Sequence, residues 1–353
     1  MKALILSGGT GSRLRPFTHS TAKQLLPVAN KPVLAHCLEN IRDAGVTEAA
    51  VIVGTHAAEI SGVIGDGSAF GLDLTYLHQD QPRGLAHCVQ LAADFLGDDD
   101  FVMYLADNVF ADGIAHAAKV FAADRADALL LVQPVADPRA YGVAEVGADG
   151  RVHRLVEKPA EPASDLAVLG VYFFTSRIHR AVTGLCPSGR GELEITDAIQ
   201  RLADGGALVR AECYDGYWKD TGKAEDLLDC NRELLGRLTG SVVHGDIDAV
   251  STLSGPVVIE PGARVRGSHL VGPLVIAAGS TVTECTVGPY VSVGRDCVLR
   301  LSSVADSILL EGAAVDGVPA LDQSIIGRWA RIGRSGAGHQ LLVGDHANAE
   351  MAA

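Results

Sequence analysis

Several features that define other protein classes are scarce or missing in this 353-residue chain. No run of about 18 apolar residues is present to span a bilayer, and the apolar run Ala3–Leu6 is too short for a signal peptide. The seven cysteines are scattered and include no CxxC pair, and the twelve histidines include no HExxH, so neither a disulfide framework nor a zinc site is indicated. We therefore expect a cytoplasmic protein.

The N-terminal segment contains no acidic residues. The chain as a whole has a net charge of −14, which disfavours a general binder of nucleic acids or anionic membranes. Residues 1–38 nevertheless contain no Asp or Glu and five basic residues: Lys2, Arg13, Arg15, Lys23 and Lys31. This concentration of positive charge in an acidic chain predicts an anionic ligand near the N-terminal segment.

The first two-thirds of the chain alternate short apolar runs with amphipathic ones. Predicted strands are Ala3–Leu6, Ala49–Val53, Phe101–Leu105, Ala128–Val132 and Val168–Phe174. Predicted helices are Pro32–Ala44, Ile114–Ala123 and Glu194–Leu202. Such alternation predicts an α/β domain over residues 1–240 with a Rossmann-like, mostly parallel sheet, whose ligands bind beyond the carboxyl ends of the strands.

The pattern changes near residue 241, where aliphatic residues begin to recur every six positions. Examples are Ile259, Val265 and Val271, then Ile276 and Val282, then Val287, Val293 and Leu299, and finally Ile326 and Ile332. Hexads separated by turn residues predict a left-handed parallel β-helix over 241–335, of about five coils at some 18 residues each. A β-sandwich is the alternative, but it would show a period of two. Residues 336–353 are predicted to be a C-terminal tail with little periodicity.

A glycine-rich segment follows the first predicted strand and carries the clearest chemical signal. It reads Leu6-Ser7-Gly8-Gly9-Thr10-Gly11-Ser12-Arg13, and Lys23-Gln24-Leu25-Leu26-Pro27-Val28 and Lys31-Pro32 come after it. Glycines at such a turn let backbone N–H groups approach phosphate oxygens. The spacing fits neither a Walker loop nor a dinucleotide fingerprint. A purely structural turn is the alternative, although such a turn does not need the cations of Arg13 and Lys23 close behind it.

Further motifs follow in a fixed order. They are Gln79-Asp80-Gln81-Pro82-Arg83-Gly84-Leu85-Ala86, Leu105-Ala106-Asp107-Asn108, Tyr141-Gly142-Val143, Glu157-Lys158-Pro159 and Trp218-Lys219-Asp220-Thr221-Gly222. Together with Leu6–Pro32, this ordered set resembles the sugar-1-phosphate nucleotidyltransferases over residues 2–235. With a hexapeptide tail of this length, the pattern is most similar to long-form glucose-1-phosphate thymidylyltransferases.

The resemblance implies a role for each matched residue. The implied nucleotide-binding residues are Leu6, Gly8, Gly9, Gly11, Ser12, Arg13, Gln79, Gly84 and Asp107. The implied sugar-phosphate-binding residues are Tyr141, Gly142, Glu157, Lys158, Val168 and Trp218. The implied catalytic residues are Arg13, Lys23, Asp107, Lys158 and Asp220, and Mg²⁺ is expected on Asp107 and Asp220. Taken singly, Asp107 or Asp220 could serve as a cap or turn residue, and Lys158 could be an ordinary surface lysine.

The implied reaction transfers dTMP from dTTP to α-D-glucose 1-phosphate. Alternatives are UTP or another hexose 1-phosphate as substrate, or a non-catalytic regulatory homologue, against which the joint presence of Arg13, Lys23, Asp107 and Asp220 argues. A β-helix acyltransferase is disfavoured by the small number of coils and by the isolated His244 and His269. We expect a homo-oligomer and no nucleic-acid or membrane partner.

Overall fold

The computed structural model describes residues 1–333 and 340–350. Contacts divide the chain into two compact units, of which the first consists of Met1–Thr10 and Leu34–Asp220. The second consists of Gly11–Val33 and Thr221–Ala353, so the contacts divide the chain at places other than the expected boundary at residue 240. Among the described residues, no helix has the length and apolar character needed to cross a membrane.

The helices and strands before the β-helix are named in chain order. Strands are β1 Lys2–Ser7, β2 Pro27–Val28, β3 Lys31–Pro32, β4 Glu48–Val53, β5 Asp73–His78, β6 Phe101–Leu105, β7 Asn108–Phe110, β8 Ala128–Pro134, β9 Gly142–Val146, β10 Val152–Glu157, β11 Leu166–Phe174, β12 Val209–Cys213 and β13 Trp218–Asp220. Helices are α1 Val33–Asp43, α2 Ala57–Ile64, α3 Leu85–Leu91, α4 Ala93–Leu96, α5 Ala115–Asp124, α6 Ile178–Val182, α7 Ile195–Asp204 and α8 Ala224–Gly236.

The first unit contains the predicted Rossmann-like sheet, which is confirmed. Its strand order is β10-β9-β11-β6-β1-β4-β5, and the four strands β6, β1, β4 and β5 pair in parallel. Strand β11 runs antiparallel to β6, β8 and β9, while β12 pairs with β8 in parallel. A separate antiparallel pair joins β13 to β7. The near-continuous apolar strands β1, β4 and β6 are buried, as parallel strands covered on both faces must be.

The predicted helical face of α1 is buried as expected. Val33, Leu34, Cys37, Leu38 and Ile41 are all 0% exposed, in agreement with a spacing of three and four residues. Burial raises the pKa of the Cys37 thiol well above its ordinary value, and the charge of Asp107 raises it further. This thiol is therefore a packed hydrophobe without nucleophilic character.

The second unit contains three parallel sheets, the arrangement of a β-helix. The first sheet comprises Val242–Val243, Val257–Ile259, Leu274–Ile276, Val291–Val293, Ile308–Leu309, Ile325–Ile326 and Leu342–Val343. The second comprises Asp246–Ile247, Arg264–Arg266, Thr281–Thr283, Val298–Arg300, Ala314–Asp316, Arg331–Gly333 and Asn348–Glu350. The third comprises Thr252–Ser254, His269–Val271, Thr286–Val287 and Ser303–Val304.

The coil length corrects two details of the sequence prediction. Val257 pairs with Leu274 and Leu274 with Val291, so these two coils take 17 residues each, and other coils take 16 to 18. The step from the second sheet to the third is therefore five residues, and Leu270 is buried in the position expected for Val271, which is half-buried.

The β-helix also continues beyond residue 335, its predicted end. Leu342–Val343 pairs with Ile325–Ile326, and Asn348–Glu350 pairs with Arg331–Gly333. The part of the chain that the structure describes thus holds seven strands in each of the first two sheets, against about five expected coils. Residues 336–339 and 351–353 of the predicted tail lie outside the described residues.

Candidate active site

The glycine-rich segment begins at the carboxyl end of β1, where the first unit places a glutamine against it. A Cβ on Gly8 would lie 3.3 Å from Gln79 Oε1, so the amide oxygen reaches the backbone of the segment. The preceding Ser7 is 3% exposed, and its hydroxyl has no hydrogen-bond partner among the described residues. A buried orphan hydroxyl is uncommon in native proteins, and its position at the end of a central strand is typical of ligand sites.

The amide of Gln79 is held in one orientation by two neighbours on α3. Its Nε2 donates to His87 Nδ1 at 2.9 Å and to Cys88 Sγ at 3.3 Å. The Cys88 thiol in turn donates to the Gly84 carbonyl at 3.7 Å, and burial raises its pKa to about 12. Burial, with the charge of Arg83, lowers the pKa of His87, so the imidazole is neutral at pH 7 and accepts through Nδ1. The acceptor Oε1 of Gln79 is therefore the end that faces Gly8.

Gly84, the second predicted base-reading residue, has a backbone that only glycine adopts readily. Its φ is +99°, and a Cβ would lie 2.4 Å from the carbonyl oxygen of Leu193. The backbones on either side of Gly84 are joined to Leu193, because Ala86 N–H donates to the Leu193 carbonyl and Leu193 N–H donates to that of Arg83. The Gln79–Gly84 segment is thus fixed at both ends.

The two predicted metal-binding aspartates lie next to each other across a strand pair. Asp220 on β13 is paired with Asn108 on β7, and Asp107 directly precedes Asn108. The buried Asn108 side chain donates through Nδ2 to Asp107 Oδ1 at 2.9 Å and accepts from Trp218 Nε1 at 2.7 Å. Because side chains alternate along a strand, Lys219 lies on the other face of β13 from Asp220. Asn108 therefore orients the Asp107 carboxylate.

This donor set fits Mg²⁺. No group of three or more His, Cys, Asp or Glu side chains that could hold a metal ion exists among residues 1–333 and 340–350. Mg²⁺ does not need such a group, since it is usually bound through one or two carboxylates and completes its shell with water and substrate phosphates. Asp107 and Asp220 are the two carboxylates that would hold such an ion.

The predicted sugar-binding residues converge around Gly142. A Cβ on Gly142 would lie 2.9 Å from Thr196 Cγ2, 3.4 Å from Glu157 Oε2 and 3.8 Å from Val168 Cβ. Thr196 Oγ1 donates to Glu157 Oε2 at 3.3 Å, and Arg190 donates to Glu157 Oε1 at 3.3 Å. Glu157 thus presents a carboxylate that is already held by two side chains.

Lys158 lies beside this cluster in a strained conformation. Its φ is +42°, in the left-handed region that non-glycine residues rarely adopt, and it precedes Pro159. Its N–H donates to the Tyr141 carbonyl at 3.0 Å, and its Nζ lies 3.6 Å from Glu157 Oε1. The Tyr141 ring meets the Trp218 ring edge-on at 5.4 Å between centroids. Such strain in an exposed lysine is typical of functional sites and argues against an ordinary surface residue.

The second unit brings together the predicted residues of loop 11–33. A Cβ on Gly11 would lie 3.0 Å from Lys23 Cβ, so the stem of Lys23 packs on the glycine-rich turn. A Cβ on Gly222 would lie 3.0 Å from an Arg13 guanidinium nitrogen. Thr18 Oγ1 donates to the Gly11 carbonyl at 2.7 Å and closes the turn. Ser12 opens a 3₁₀ turn over Ser12–Leu14 that carries Arg13.

The predicted residues of the first unit fall into three groups, while Leu6 lies on β1 and Gly9 follows that strand. The groups are Gly8 with Gln79 and Gly84, Asp107 with Asp220 and Trp218, and Gly142 with Glu157, Lys158, Val168 and Tyr141. Sequence reasoning missed four side chains that hold these residues, namely His87, Asn108, Arg190 and Thr196 as partners. Of the four, only Asn108 stands in a motif quoted above; His87, Arg190 and Thr196 contact residues in other elements of the fold.

Comparison with known proteins fits this geometry. Residues 2–237 match the Nucleotidyl transferase family. The chain belongs to that family, as the motif resemblance predicted.

Individual relatives extend the match to the whole chain. The chain is 49% identical to a glucose-1-phosphate thymidylyltransferase of Streptomyces griseus, over 99% of both chains. It is 47% identical to one of Streptomyces antibioticus, again over 99% of both. A crystal structure of a Bacillus anthracis protein in complex with sucrose is 37% identical, with a TM-score of 0.62 over 66% of this chain and 95% of the other. The similarity to the Streptomyces proteins includes the β-helix.

Proposed function

We propose that the chain is a glucose-1-phosphate thymidylyltransferase that joins dTMP from dTTP to α-D-glucose 1-phosphate, giving dTDP-glucose and pyrophosphate. The observation that carries this proposal is the full-length similarity to two proteins of that activity. The geometry of the first unit supports it, because the carboxylates, the amide of Gln79 and the Glu157 cluster are the groups that such a reaction needs.

The reaction joins two anions, and the protein's contribution is charge and alignment. A phosphate oxygen of glucose 1-phosphate attacks the α-phosphorus of dTTP, the bond from that phosphorus to the bridging oxygen breaks, and pyrophosphate leaves with its electron pair. We assign Arg13 to the charge of the departing pyrophosphate, Lys23 to the transferring phosphate and Lys158 to the sugar phosphate. Fixed cations aimed at developing charge supply most of the acceleration in phosphoryl and nucleotidyl transfer.

We assign Mg²⁺ to Asp107 and Asp220. When bound there, the ion would neutralise phosphate charge on the nucleotide. Asn108 fixes the orientation of the Asp107 carboxylate through a hydrogen bond. Binding of the ion therefore does not have to include the free-energy cost of ordering this carboxylate.

The hexose is assigned to the Gly142 cluster, and the base to Gln79. Glu157 accepts hydrogen bonds from Thr196 and Arg190 and has lone pairs left for sugar hydroxyl groups. We assign Gln79 Oε1, which faces Gly8, as the acceptor for the N3–H of thymine. Uracil has the same N3–H, so UTP is the second candidate nucleotide, and an amide at this position alone does not separate the two.

Pyrophosphate release with glucose 1-phosphate tests the proposal. Each of dTTP, UTP, dCTP, ATP and GTP is supplied in turn, with and without Mg²⁺. We expect turnover with dTTP that depends on Mg²⁺. Clear preference for UTP would overturn the thymidylyl assignment, and absence of turnover with every nucleotide would overturn the enzymatic one. The cytoplasmic location and the homo-oligomeric state stay predictions of the sequence.

A further inference from the structure

The last coils of the β-helix hold the loop that carries Arg13 and Lys23. Ser20 Oγ donates to Asp345 Oδ2 at 2.6 Å, and an Arg328 guanidinium nitrogen donates to Thr21 Oγ1 at 2.9 Å. These pairs are separated by 325 and 307 residues along the chain. Ser20 and Thr21 lie between the two proposed substrate-binding cations, only two residues before Lys23.

Arg328 and Asp345 are themselves rigid. Asp345 Oδ1 accepts from the Arg328 N–H at 2.7 Å, and the His346 N–H donates to the Arg328 carbonyl at 2.7 Å, so the two residues are locked across adjacent coils. The loop lies close to this part of the β-helix, because a Cβ on Gly344 would lie 3.0 Å from Pro16 Cβ. The β-helix therefore offers the loop a fixed surface with two fixed polar groups.

The loop has little regular structure of its own to fix its shape. Between Gly11 and Leu26 it contains three turns of 3₁₀ helix, Ser12–Leu14, Phe17–His19 and Lys23–Leu25, each of three residues. Such turns are closed by few hydrogen bonds of poor geometry. The conformation of this stretch is therefore determined largely by what it packs against.

A second anchor lies on the other side of Lys23. Asn231 of α8 accepts from the Ala29 N–H at 2.9 Å and from Ser292 Oγ at 2.5 Å, and it donates to the Tyr290 carbonyl at 3.1 Å. Asn30 donates to the Val293 carbonyl at 2.7 Å. Asn231 is 0% exposed and so links the loop, α8 and the fourth coil in one buried network. With this anchor at residues 29–30, the Ser20–Thr21 contacts complete the fixation of Lys23 from both sides.

We infer that Arg328 and Asp345 are positioning residues for nucleotidyl transfer, acting through Thr21 and Ser20 on the cations Arg13 and Lys23. This inference rests on the proposed function. A loop that is already held in its binding conformation does not lose conformational entropy when the triphosphate binds. The triphosphate therefore binds with a more favourable free energy. The last two described coils of the β-helix thereby belong to the functional machinery of the enzyme.

Four single substitutions in the full-length chain test the inference. Asp345→Ala and Ser20→Ala each remove one partner of the first contact, and Thr21→Val removes the hydroxyl of the second while keeping its shape. Thr21→Ser keeps the hydroxyl and is the rescue variant. We expect KM for dTTP to rise about tenfold in the first three, as loss of a hydrogen bond with a charged partner implies. We expect no rise in Thr21→Ser, and an unchanged KM for glucose 1-phosphate in all four.

The double variant Ser20→Ala/Asp345→Ala separates positioning from general damage. Because Ser20 acts through Asp345, which also accepts from the Arg328 N–H, the KM of the double variant for dTTP should match that of Asp345→Ala and not exceed it. Asp322→Ala, on an exposed part of a neighbouring coil, is the matched control and should leave both KM values unchanged. The melting temperature of every variant is recorded, since mere destabilisation lowers the active fraction without changing KM.

Two outcomes would overturn the inference while leaving the proposed function intact. One is an unchanged KM for dTTP in Asp345→Ala and Thr21→Val. The other is an equal rise in both KM values, which would indicate a general distortion. Absence of turnover in the unmodified enzyme would instead contradict the proposed function itself.

Discussion

The orientation of the Gln79 amide gives a prediction on how the enzyme selects its base. Gln79 Nε2 donates to His87 Nδ1, which requires a neutral imidazole. Burial and the charge of Arg83 lower the pKa of His87, so its protonation requires a lower pH than that of an ordinary imidazole. Once His87 is protonated, its Nδ1 becomes a donor. The Gln79 amide can accept from it only by turning Oε1 toward His87. Nε2 then faces the base.

The size of the effect follows from the exchanged hydrogen bond. When Gln79 Oε1 faces the base, it accepts a hydrogen bond from the N3–H of thymine. When Gln79 Nε2 faces the base, its N–H and the N3–H of thymine are both donors and form no hydrogen bond. Cytosine has an acceptor at N3 and is favoured by the turned amide. Loss of one buried hydrogen bond costs about 1–3 kcal/mol, so discrimination between dTTP and dCTP should fall by about 5- to 150-fold at low pH. The Cys88 contact opposes the turn and places the expected value toward the lower end.

The assay measures kcat/KM for dTTP and for dCTP from about pH 8 to about pH 5, the range in which histidine titrates. The ratio of the two values cancels titration of the triphosphate, which both nucleotides share. His87→Gln is the matched control, because its amide oxygen accepts from Gln79 at every pH. A ratio that stays constant in the unmodified enzyme, or that falls equally in His87→Gln, would refute the reasoning.

Three further predictions concern the metal, the sugar and the β-helix. Asp107→Asn should lower kcat by about 100-fold or more while leaving the affinity for dTTP without Mg²⁺ nearly unchanged. Single-turnover rates and equilibrium binding measure the two quantities. Equal losses in rate and in affinity would contradict the prediction. Gly142→Ala should raise KM for glucose 1-phosphate and not for dTTP, because the new Cβ would lie 2.9 Å from Thr196 Cγ2. A rise in KM for dTTP alone would contradict the assignment of the sugar to the Gly142 cluster. Leu299→Ala, at a side chain 0% exposed, should lower the free energy of unfolding of the second unit by about 2–5 kcal/mol. Its neighbour Val298 is 42% exposed, so Val298→Ala should change that free energy by less than about 0.5 kcal/mol in urea melts followed by circular dichroism.

Local pattern predicted much of the fold. The strands around Ala3–Leu6 and Phe101–Leu105 and the helix over α1 were predicted within one or two residues, because their burial imposes a period on the sequence. The hexads predicted the β-helix for the same reason. The error at Val271 arose because one step of each coil is five residues, which a strict period of six does not show. The coil at Leu342–Val343 was missed since its residues are partly exposed and the period weakens there.

The site was predicted as a set of residues and not as a set of contacts. The motif order predicts roles for Gln79, Asp107 and Glu157, and these roles stay predictions. In the structure Gln79 lies against Gly8, Glu157 lies against Gly142, and Asp107 precedes the residue paired with Asp220. Their partners depend on tertiary packing, such as Thr196 on α7 reaching Glu157 on β10. No local pattern encodes a pair separated by so much chain, and the contact of Ser20 with Asp345 is the extreme case.

That extreme separation has a consequence for synthesis of the protein on the ribosome. Ser20 emerges early, and its partner Asp345 is polymerised 325 residues later. At about 5–20 residues per second the interval is roughly 16–65 s, during which the first unit has time to fold while loop 11–33 waits for its anchor. Chains released before the last coil would keep the anchor at residues 29–30 and lack the contact between Ser20 and Asp345. The Ser20–Asp345 hydrogen bond therefore forms only after translation has passed residue 345.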